Sequence, residues 1–171
     1  MNTKNVKSIL HSAVEKYTET ARDNFMSIND YAIEIGVISA DTNRKSKINV
    51  KDITNAELMF IHEHGSPVNN IVARPVLGYS LKWLSKTEWP KVYKRIRDGC
   101  FTQNWSKEDV KKELENMCIR VQNYARKIIY RSNLLTKNKQ STIERKGSDR
   151  PLLDTGMLAK SITCRLIQNK K

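Results

Sequence analysis

Apolar residues recur at intervals of three and four near the start of the chain. This spacing predicts an amphipathic helix from Thr3 to Phe25. Such a face either covers the chain's own sheet or packs on another subunit, and the spacing fits both arrangements. The face consists of Val6, Leu10, Ala13, Val14, Tyr17, Ala21 and Phe25, with Ile9 beside it.

A second, longer stripe predicts a helix from Ser106 to Ser132. Ser106 is a favourable N-cap residue, and Glu108 and Asp109 lie near the positive end of the helix dipole. The stripe consists of Val110, Leu114, Met117, Val121, Tyr124, Ala125 and Ile128.

Alternation of apolar and polar residues predicts strands elsewhere. The clearest runs from Tyr31 to Ile38, a second from about Lys47 to Asp52, and a third from Ser161 to Ile167. With 171 residues, one domain spanning residues 1–171 is expected. The predicted fold class is α+β, with a small, mostly antiparallel sheet packed by long α-helices on one face.

Capping residues and prolines divide the segment between these elements. Thr54 and Glu57 have the spacing of a capping box, which predicts a short helix that ends at Gly65. Pro75 suits the first turn of the next helix, because its missing N–H has no partner there in any case.

Two later segments are predicted to interrupt regular structure. The pre-proline position disfavours helix at Trp89, so a break is expected before Pro90, followed by a basic helix or turn that ends at Gly99. The segment Leu135–Asp149 is polar, charged and without period, so it is predicted to be a mobile loop.

Three short motifs occur in a fixed order: HEHG at 62–65, ARPVL at 73–77, and PLLDTGML at 151–158 followed by Ser161. Their order and rough spacing resemble the tail completion (virion morphogenesis) proteins of Mu-like tailed phages, which are related to lambdoid head–tail joining proteins. The chain departs from that pattern at His64, Val72 and Val76, where the family tends to carry Phe, Pro and Phe. The matching residues are His62, Glu63, Gly65, Ala73, Arg74, Pro75, Leu153, Asp154, Thr155, Gly156, Leu158 and Ser161.

The resemblance implies a non-enzymatic structural protein that acts in tail completion or head–tail joining. It implies a homo-oligomeric ring of about six copies at the neck or upper tail of the virion, reached from the host cytoplasm during assembly. Its partners would be other phage neck, tail or connector proteins. In such a ring the loops Ser39–Lys47, Ser66–Val72 and Leu135–Asp149 are expected to contact neighbouring subunits.

Positive charge is concentrated in one part of the chain. The formal net charge is +13, and residues 82–146 hold 17 basic and 7 acidic residues, which is +10 of that total. This charge predicts a polyanionic neighbour or a complementary protein surface, although it also fits an ordinary solvated surface. The resemblance implies that the neighbour would be an acidic partner ring or the genomic DNA. The candidate basic face consists of Lys45, Lys47, Lys91, Lys94, Arg95, Arg97, Arg126, Lys127, Arg131, Lys137 and Lys139.

Three tryptophans lie among these cations, and they keep an alternative function open. Trp83, Trp89 and Trp105 interleaved with lysines fit either a single-stranded nucleic-acid groove or a core covered by lysine stems. The core is favoured because no nucleic-acid-binding signature accompanies them. A basic nucleic-acid-binding protein is therefore the alternative function.

The sequence predicts no catalytic, cofactor or metal site. His62 and His64 are two residues apart in a predicted helix, so their side chains point about 200° apart. Their segment is expected to hold the Gly65 loop against the sheet by hydrogen bonds from His62 and Glu63. Asp154 or Thr155 is expected to cap a turn at 156–160 rather than to act as a protease aspartate.

Cysteine spacing and hydropathy bear on disulfides, metal sites, membrane spans and secretion signals. Cys100, Cys118 and Cys164 are odd in number and have no metal-like spacing, so free thiols are expected. No run of 18 apolar residues predicts a membrane span, and the first residues lack the apolar core of a secretion signal.

Overall fold

The computed structural model describes residues 3–38, 53–131 and 133–169. Within them the fold is α+β and mostly helical, with one antiparallel sheet of two strands. The predicted strand at 47–52 and the predicted loop Ser39–Lys47 lie outside the described residues. The elements are α1 (Thr3–Met26), β1 (Tyr31–Gly36), α2 (Asn55–His64), α3 (Val76–Trp83), α4 (Trp89–Thr102), α5 (Lys107–Arg131), α6 (Gln140–Lys146), α7 (Met157–Ser161) and β2 (Thr163–Gln168).

Helix boundaries follow the capping chemistry of the sequence. Thr54 and Glu57 form the reciprocal capping box of α2, with the Glu57 N–H donating to the Thr54 hydroxyl over 3.1 Å. At α5 the Ser106 N–H donates to the Asp109 carboxylate over 2.9 Å, and the Asp109 N–H donates to the Ser106 hydroxyl over 3.3 Å. The two long predicted helices, α1 and α5, are confirmed to within one residue at each of their ends.

The two strands pair as expected from their alternation. Tyr31 lies opposite Gln168 and Gly36 opposite Thr163, with antiparallel register throughout. The inward side chains of β1 and β2 pack on the apolar cluster around α4 and α5. Ser161, predicted to start the last strand, instead ends α7, because the Ser161 hydroxyl donates to the Leu158 carbonyl over 2.8 Å.

The core consists of two apolar clusters that share α5. One cluster joins α4 to α5, and the other lies where α2, α3, α5 and α7 meet. Trp83, Trp89 and Trp105 pack against the first cluster, which confirms their prediction as core residues. The Trp83 ring also stacks on Tyr124 of α5, with ring centroids 4.3 Å apart and an interplanar angle of 9°.

The predicted break at Trp89 is wrong, because the chain stays helical from α3 into α4. Residues 84–88 form one π-helical turn, and both Glu88 and Trp89 have right-handed helical backbone angles. Pro90 then lies in the first turn of α4, where an N–H is dispensable.

Two further boundaries differ from the predictions. Residues 135–149 are not all irregular, because α6 forms within them and ends at Gly147, which has φ of 66°. A seven-residue helix whose only aliphatic side chain is Ile143 shows no periodicity to detect. Helix α4 continues past Gly99 to Thr102, and Gly99 is a packing position beneath Trp105.

Candidate functional site

The carboxylate of Glu63 fixes the start of α3. One Glu63 oxygen accepts the Leu77 N–H over 2.9 Å and the other accepts the Gly78 N–H over 2.6 Å. These N–H groups belong to the first turn of α3, where they have no partner within the helix and where the dipole favours negative charge. The expectation that Glu63 holds the Gly65 loop against the sheet is therefore wrong, because its partner is a helix.

Gly65 allows two backbone segments to approach closely after α2. Its φ is 78°, and a Cβ atom there would lie 3.0 Å from both the Ala73 nitrogen and the Ile71 oxygen. Beyond it, Ser66 and Ile71 exchange two backbone hydrogen bonds of 2.8 and 2.9 Å. A glycine is thus required at this position by conformation and by space.

Replacing Gly65 by alanine is expected to lower the free energy of unfolding by about 2–3 kcal/mol, because backbone strain and steric overlap add there. Gly147→Ala is the matched control, since Gly147 also has positive φ but has nothing within 4 Å of the added carbon. It is expected to cost only about 1 kcal/mol. Urea denaturation checks both values, and equal losses would contradict the close approach.

Arg74 ties the second motif to the segment before α6. Its Nε donates to the Thr136 carbonyl over 2.8 Å and its Nη2 to the Lys137 carbonyl over 3.2 Å. The Arg74 N–H donates to the His62 carbonyl over 2.5 Å, which joins the first two motifs directly. Burial lowers the pKa of Arg74 from its ordinary value, so the guanidinium is partly withdrawn from water.

The third motif forms the turn that starts α7. Gly156 has φ of 75° and ψ of 0°, and an added Cβ would lie 3.1 Å from the Tyr130 hydroxyl. The Thr155 hydroxyl accepts the Met157 N–H over 3.4 Å, but the N-cap position of α7 is Gly156, which makes no side-chain capping bond. Leu158 is buried and Leu153 partly buried in the cluster that also contains α2 and α3, so the three motifs share one core.

The candidate basic residues are divided among several elements. The Nη2 atom of Arg126 donates to the Lys160 carbonyl over 3.1 Å and to the Ile162 carbonyl over 2.9 Å, which stabilises the junction of α7 and β2. Lys45 and Lys47 lie outside the described residues. Exposed members are Lys91, Lys94, Arg95 and Arg97 on α4, Lys127 and Arg131 on α5, and Lys137 and Lys139 before α6.

A charge network that sequence reasoning missed joins the π-helical turn to α5. The buried Glu88 accepts from Arg120 Nε over 2.5 Å, and Glu113 accepts from Arg120 Nη2 over 2.9 Å. Arg95 also bonds Glu113, over 2.8 Å. Burial opposes the charge of Arg120, but its bonds to Glu113 and Glu88 outweigh that effect and raise its pKa.

The N-terminal half of α1 presents an apolar face to solvent. Every residue from Lys7 to Thr20 is exposed, and Leu10 and Val14 each keep 59% of their surface accessible. Further along, the Tyr17 hydroxyl donates to the Phe101 carbonyl over 3.3 Å, and Phe25 contacts the ring of Tyr93. The C-terminal half of α1 is therefore anchored on α4, while no part of the chain that the structure describes covers the apolar stripe ahead of it.

The three cysteines are free thiols, as their number and spacing indicated. Cys118 of α5 and Cys164 of β2 are hydrogen-bonded to each other, which lowers the pKa of Cys118 and raises that of Cys164. Burial, followed by the nearby Asp109 charge, raises the pKa of Cys100. Among the described residues, no three His, Cys, Asp or Glu side chains form a group suited to a metal ion.

No protein-family model matches the chain, and no match is found among curated proteins or among solved structures. None of the helices in the described ranges combines the length and apolar character needed to cross a membrane. Function is therefore inferred from the motifs and surfaces of this chain itself.

Proposed function

We propose that the protein is a non-enzymatic structural subunit of a tailed phage or phage-derived particle. It acts in tail completion or head–tail joining by forming a ring at the neck or upper tail. The observation that carries this proposal is the exposed apolar stripe of α1, which gives the subunit a surface suited to association.

The motif residues support an architectural role. Glu63 binds two backbone N–H groups, Arg74 binds two backbone carbonyls, and Gly65 and Gly156 occupy backbone conformations with positive φ. Each of these roles sets the path of the chain, and the motif resemblance to tail completion proteins is consistent with them. The motifs thus build the scaffold that holds the assembly surfaces.

A second copy of the chain is the proposed occupant of the α1 stripe. Helix α1 carries four basic and three acidic residues, whereas the whole chain has a net charge of +13. The helix is therefore close to neutral in a strongly basic protein, so a different face of a neighbouring copy meets it with little charge repulsion. A ring of about six copies, as the resemblance implies, places this stripe between neighbours.

The basic residues between positions 82 and 146 are the proposed contact surface for the other partners of the ring. Lys91, Lys94 and Lys127 are exposed and available to acidic neck, tail or connector proteins or to genomic DNA passing through the ring. We place the assembled protein in the virion, with the host cytoplasm as the site of its assembly.

The double substitution Leu10→Asp with Val14→Asp is expected to abolish self-association. Burying one such side chain contributes about 1.5–3 kcal/mol. Losing two of them therefore weakens each contact by about a hundredfold or more. Sedimentation velocity over a concentration series measures the effect.

Ser8→Asp with Ser12→Asp is the matched control on α1. It adds the same charge at the same spacing on the opposite side of the helix, so oligomers are expected to persist. Oligomers that survive the Leu10 and Val14 substitutions, or a monomeric wild-type protein at all concentrations, would contradict the role of the stripe.

Disrupting the gene in the parent phage tests the biological role. Electron microscopy of lysates is expected to show DNA-filled heads beside unattached tails, or tails of abnormal length. Normal, joined particles would remove the structural proposal.

The charge of residues 82–146 favours a second candidate, a basic nucleic-acid-binding protein. That function predicts duplex or single-strand affinity that falls steeply with salt, because each phosphate contact releases a counterion. A structural subunit is expected to show weak binding with no saturable site on circular DNA, which has no strand ends, at physiological salt. Filter binding between low and physiological salt separates the two.

A further inference from the structure

A cavity of about 470 Å³ lies between α2, the 66–72 loop, α6 and residues 152–158. Its volume falls in the range of pockets that hold small organic ligands. It is separate from the α1 stripe, although two of its walls belong to the loops Ser66–Val72 and Leu135–Asp149 that are expected to contact neighbouring subunits in a ring. The lining residues that matter here are the cations Arg74, Lys137, Lys139 and Arg145, the hydroxyl residue Thr142, and the apolar residues Leu58, Ile71, Leu152 and Leu158.

The charge of this cavity is strongly unbalanced. Four cationic side chains line it, whereas Asp154 is the one acidic residue among its described lining residues. Lys137, Lys139 and Arg145 are exposed, so their side chains can turn toward a ligand. The excess exceeds what a single carboxylate neutralises, and it suits a phosphate group with its two charges.

The cationic wall is held in place by the backbone. Arg74 donates to the carbonyls of Thr136 and Lys137, so the segment that carries Lys137 and Lys139 is fixed to the start of α3. These two bonds use the Nε and Nη2 atoms of Arg74, and neither of them uses its Nη1 atom. The backbone that carries the wall is therefore fixed before binding, which lowers that part of the entropic cost of binding an anion.

The opposite side of the cavity is apolar. Leu158 is buried, and Leu58 and Leu152 are partly buried in the same core cluster. A ligand that combined a phosphate with a flat organic body would place its charge on the cations and its body on these leucines. Inorganic phosphate alone would use only part of the surface.

We propose that this cavity binds a phosphate ester of nucleotide size. The phosphate lies against Lys137, Lys139 and Arg145, with Thr142 as a hydroxyl donor, and the base lies on the apolar side. The same chemistry is offered by a free nucleotide and by the phosphorylated end of a nucleic-acid strand, and the experiment below separates these sources.

Isothermal titration with AMP, inorganic phosphate and adenosine tests the site. AMP is expected to bind saturably with one molecule per chain, more tightly than phosphate, while adenosine does not bind. The substitutions Lys137→Ala, Lys139→Ala and Arg145→Ala together are expected to weaken AMP binding by at least about tenfold. The control replaces Lys91, Lys94 and Arg97 by alanine, which removes the same charge from exposed positions of α4.

The control is expected to bind AMP within about twofold of the wild type, because distant surface charges are screened. Thermal unfolding of all three proteins verifies that the exposed substitutions leave the fold intact. Equal losses in both variants would show that only overall charge matters and would overturn the proposal, as would the absence of saturable AMP binding by the wild type.

A short oligonucleotide with and without a 5′-phosphate identifies the source. If the ligand is a strand end, the phosphorylated oligonucleotide binds more tightly than AMP and than its 5′-hydroxyl form. If the ligand is a free nucleotide, AMP binds at least as tightly as either oligonucleotide. A 5′-hydroxyl strand that binds as tightly as the phosphorylated one, with both exceeding AMP, would overturn the assignment to a phosphate ester in this cavity.

Discussion

Replacing Glu63 by alanine is expected to lower the free energy of unfolding by about 3 kcal/mol, because two hydrogen bonds to a charged acceptor are lost together. The Leu77 and Gly78 N–H groups lose their acceptor at the start of α3. Helix α3 contributes the fully buried Val76 and Ser80, so a displacement of α3 also disrupts packing in the core. Urea denaturation followed by circular dichroism measures the loss.

Two further variants make the Glu63 result specific. Glu63→Gln keeps one acceptor oxygen and is expected to lose roughly half as much stability. Glu115→Ala, at an exposed glutamate 4.0 Å from Lys111, is expected to change stability by less than about 0.5 kcal/mol. A Glu63→Ala protein as stable as Glu115→Ala would show that the carboxylate does not hold α3.

Replacing Gly99 by alanine is expected to destabilise the protein by about 3 kcal/mol, although alanine is intrinsically the better helix former. The added carbon would lie 2.6 Å from two atoms of the Trp105 ring, Cε2 and Cε3. Trp105 also accepts from Asn24 of α1 through its carbonyl over 2.9 Å. Displacing the indole is therefore expected to disturb the contact between Trp105 and α1 as well as the packing of α4.

A double-mutant cycle isolates that steric effect. In a Trp105→Ala background, Gly99→Ala is expected to be neutral or slightly stabilising, because the overlap is gone and helix propensity remains. Denaturation of the four proteins, with tryptophan fluorescence for those that retain Trp105, gives the coupling energy. A Gly99→Ala change that is neutral in the presence of Trp105 would contradict the close packing.

The long elements of this fold were predictable because local chemistry decides them. Helices α1 and α5 combine many apolar positions at helical spacing, and Ser106 marks the start of α5 with its own side chain. Alternation also predicted the strands β1 and β2, which pair with each other. In each case the information lies within the segment itself.

The features that escaped prediction depend on partners distant in the chain. Glu63 accepts a hydrogen bond from the Leu77 N–H, 14 residues along the chain. Arg120 donates to Glu88, which is 32 residues away in the sequence. The π-helical turn before Pro90 leaves no periodic trace because it is a single turn. The basic cavity combines residues from four separate segments, so no local pattern indicates it.

The stripe of α1 shows the limit of periodicity most clearly. Spacing predicted its apolar face but left open which surface covers it. Within residues 3–38, 53–131 and 133–169, no segment buries Leu10 and Val14. The remaining candidate from the sequence, contact with another subunit, is the one on which the proposed function depends.

Complementation of the disrupted gene tests that dependence most directly. Plasmid-borne wild-type protein and the Ser8→Asp, Ser12→Asp control are expected to restore joined particles in electron micrographs of lysates. The Leu10→Asp, Val14→Asp protein is expected to fold but to leave heads and tails separate or tails abnormal. Joined, infectious particles with that last variant would contradict assembly through the α1 stripe.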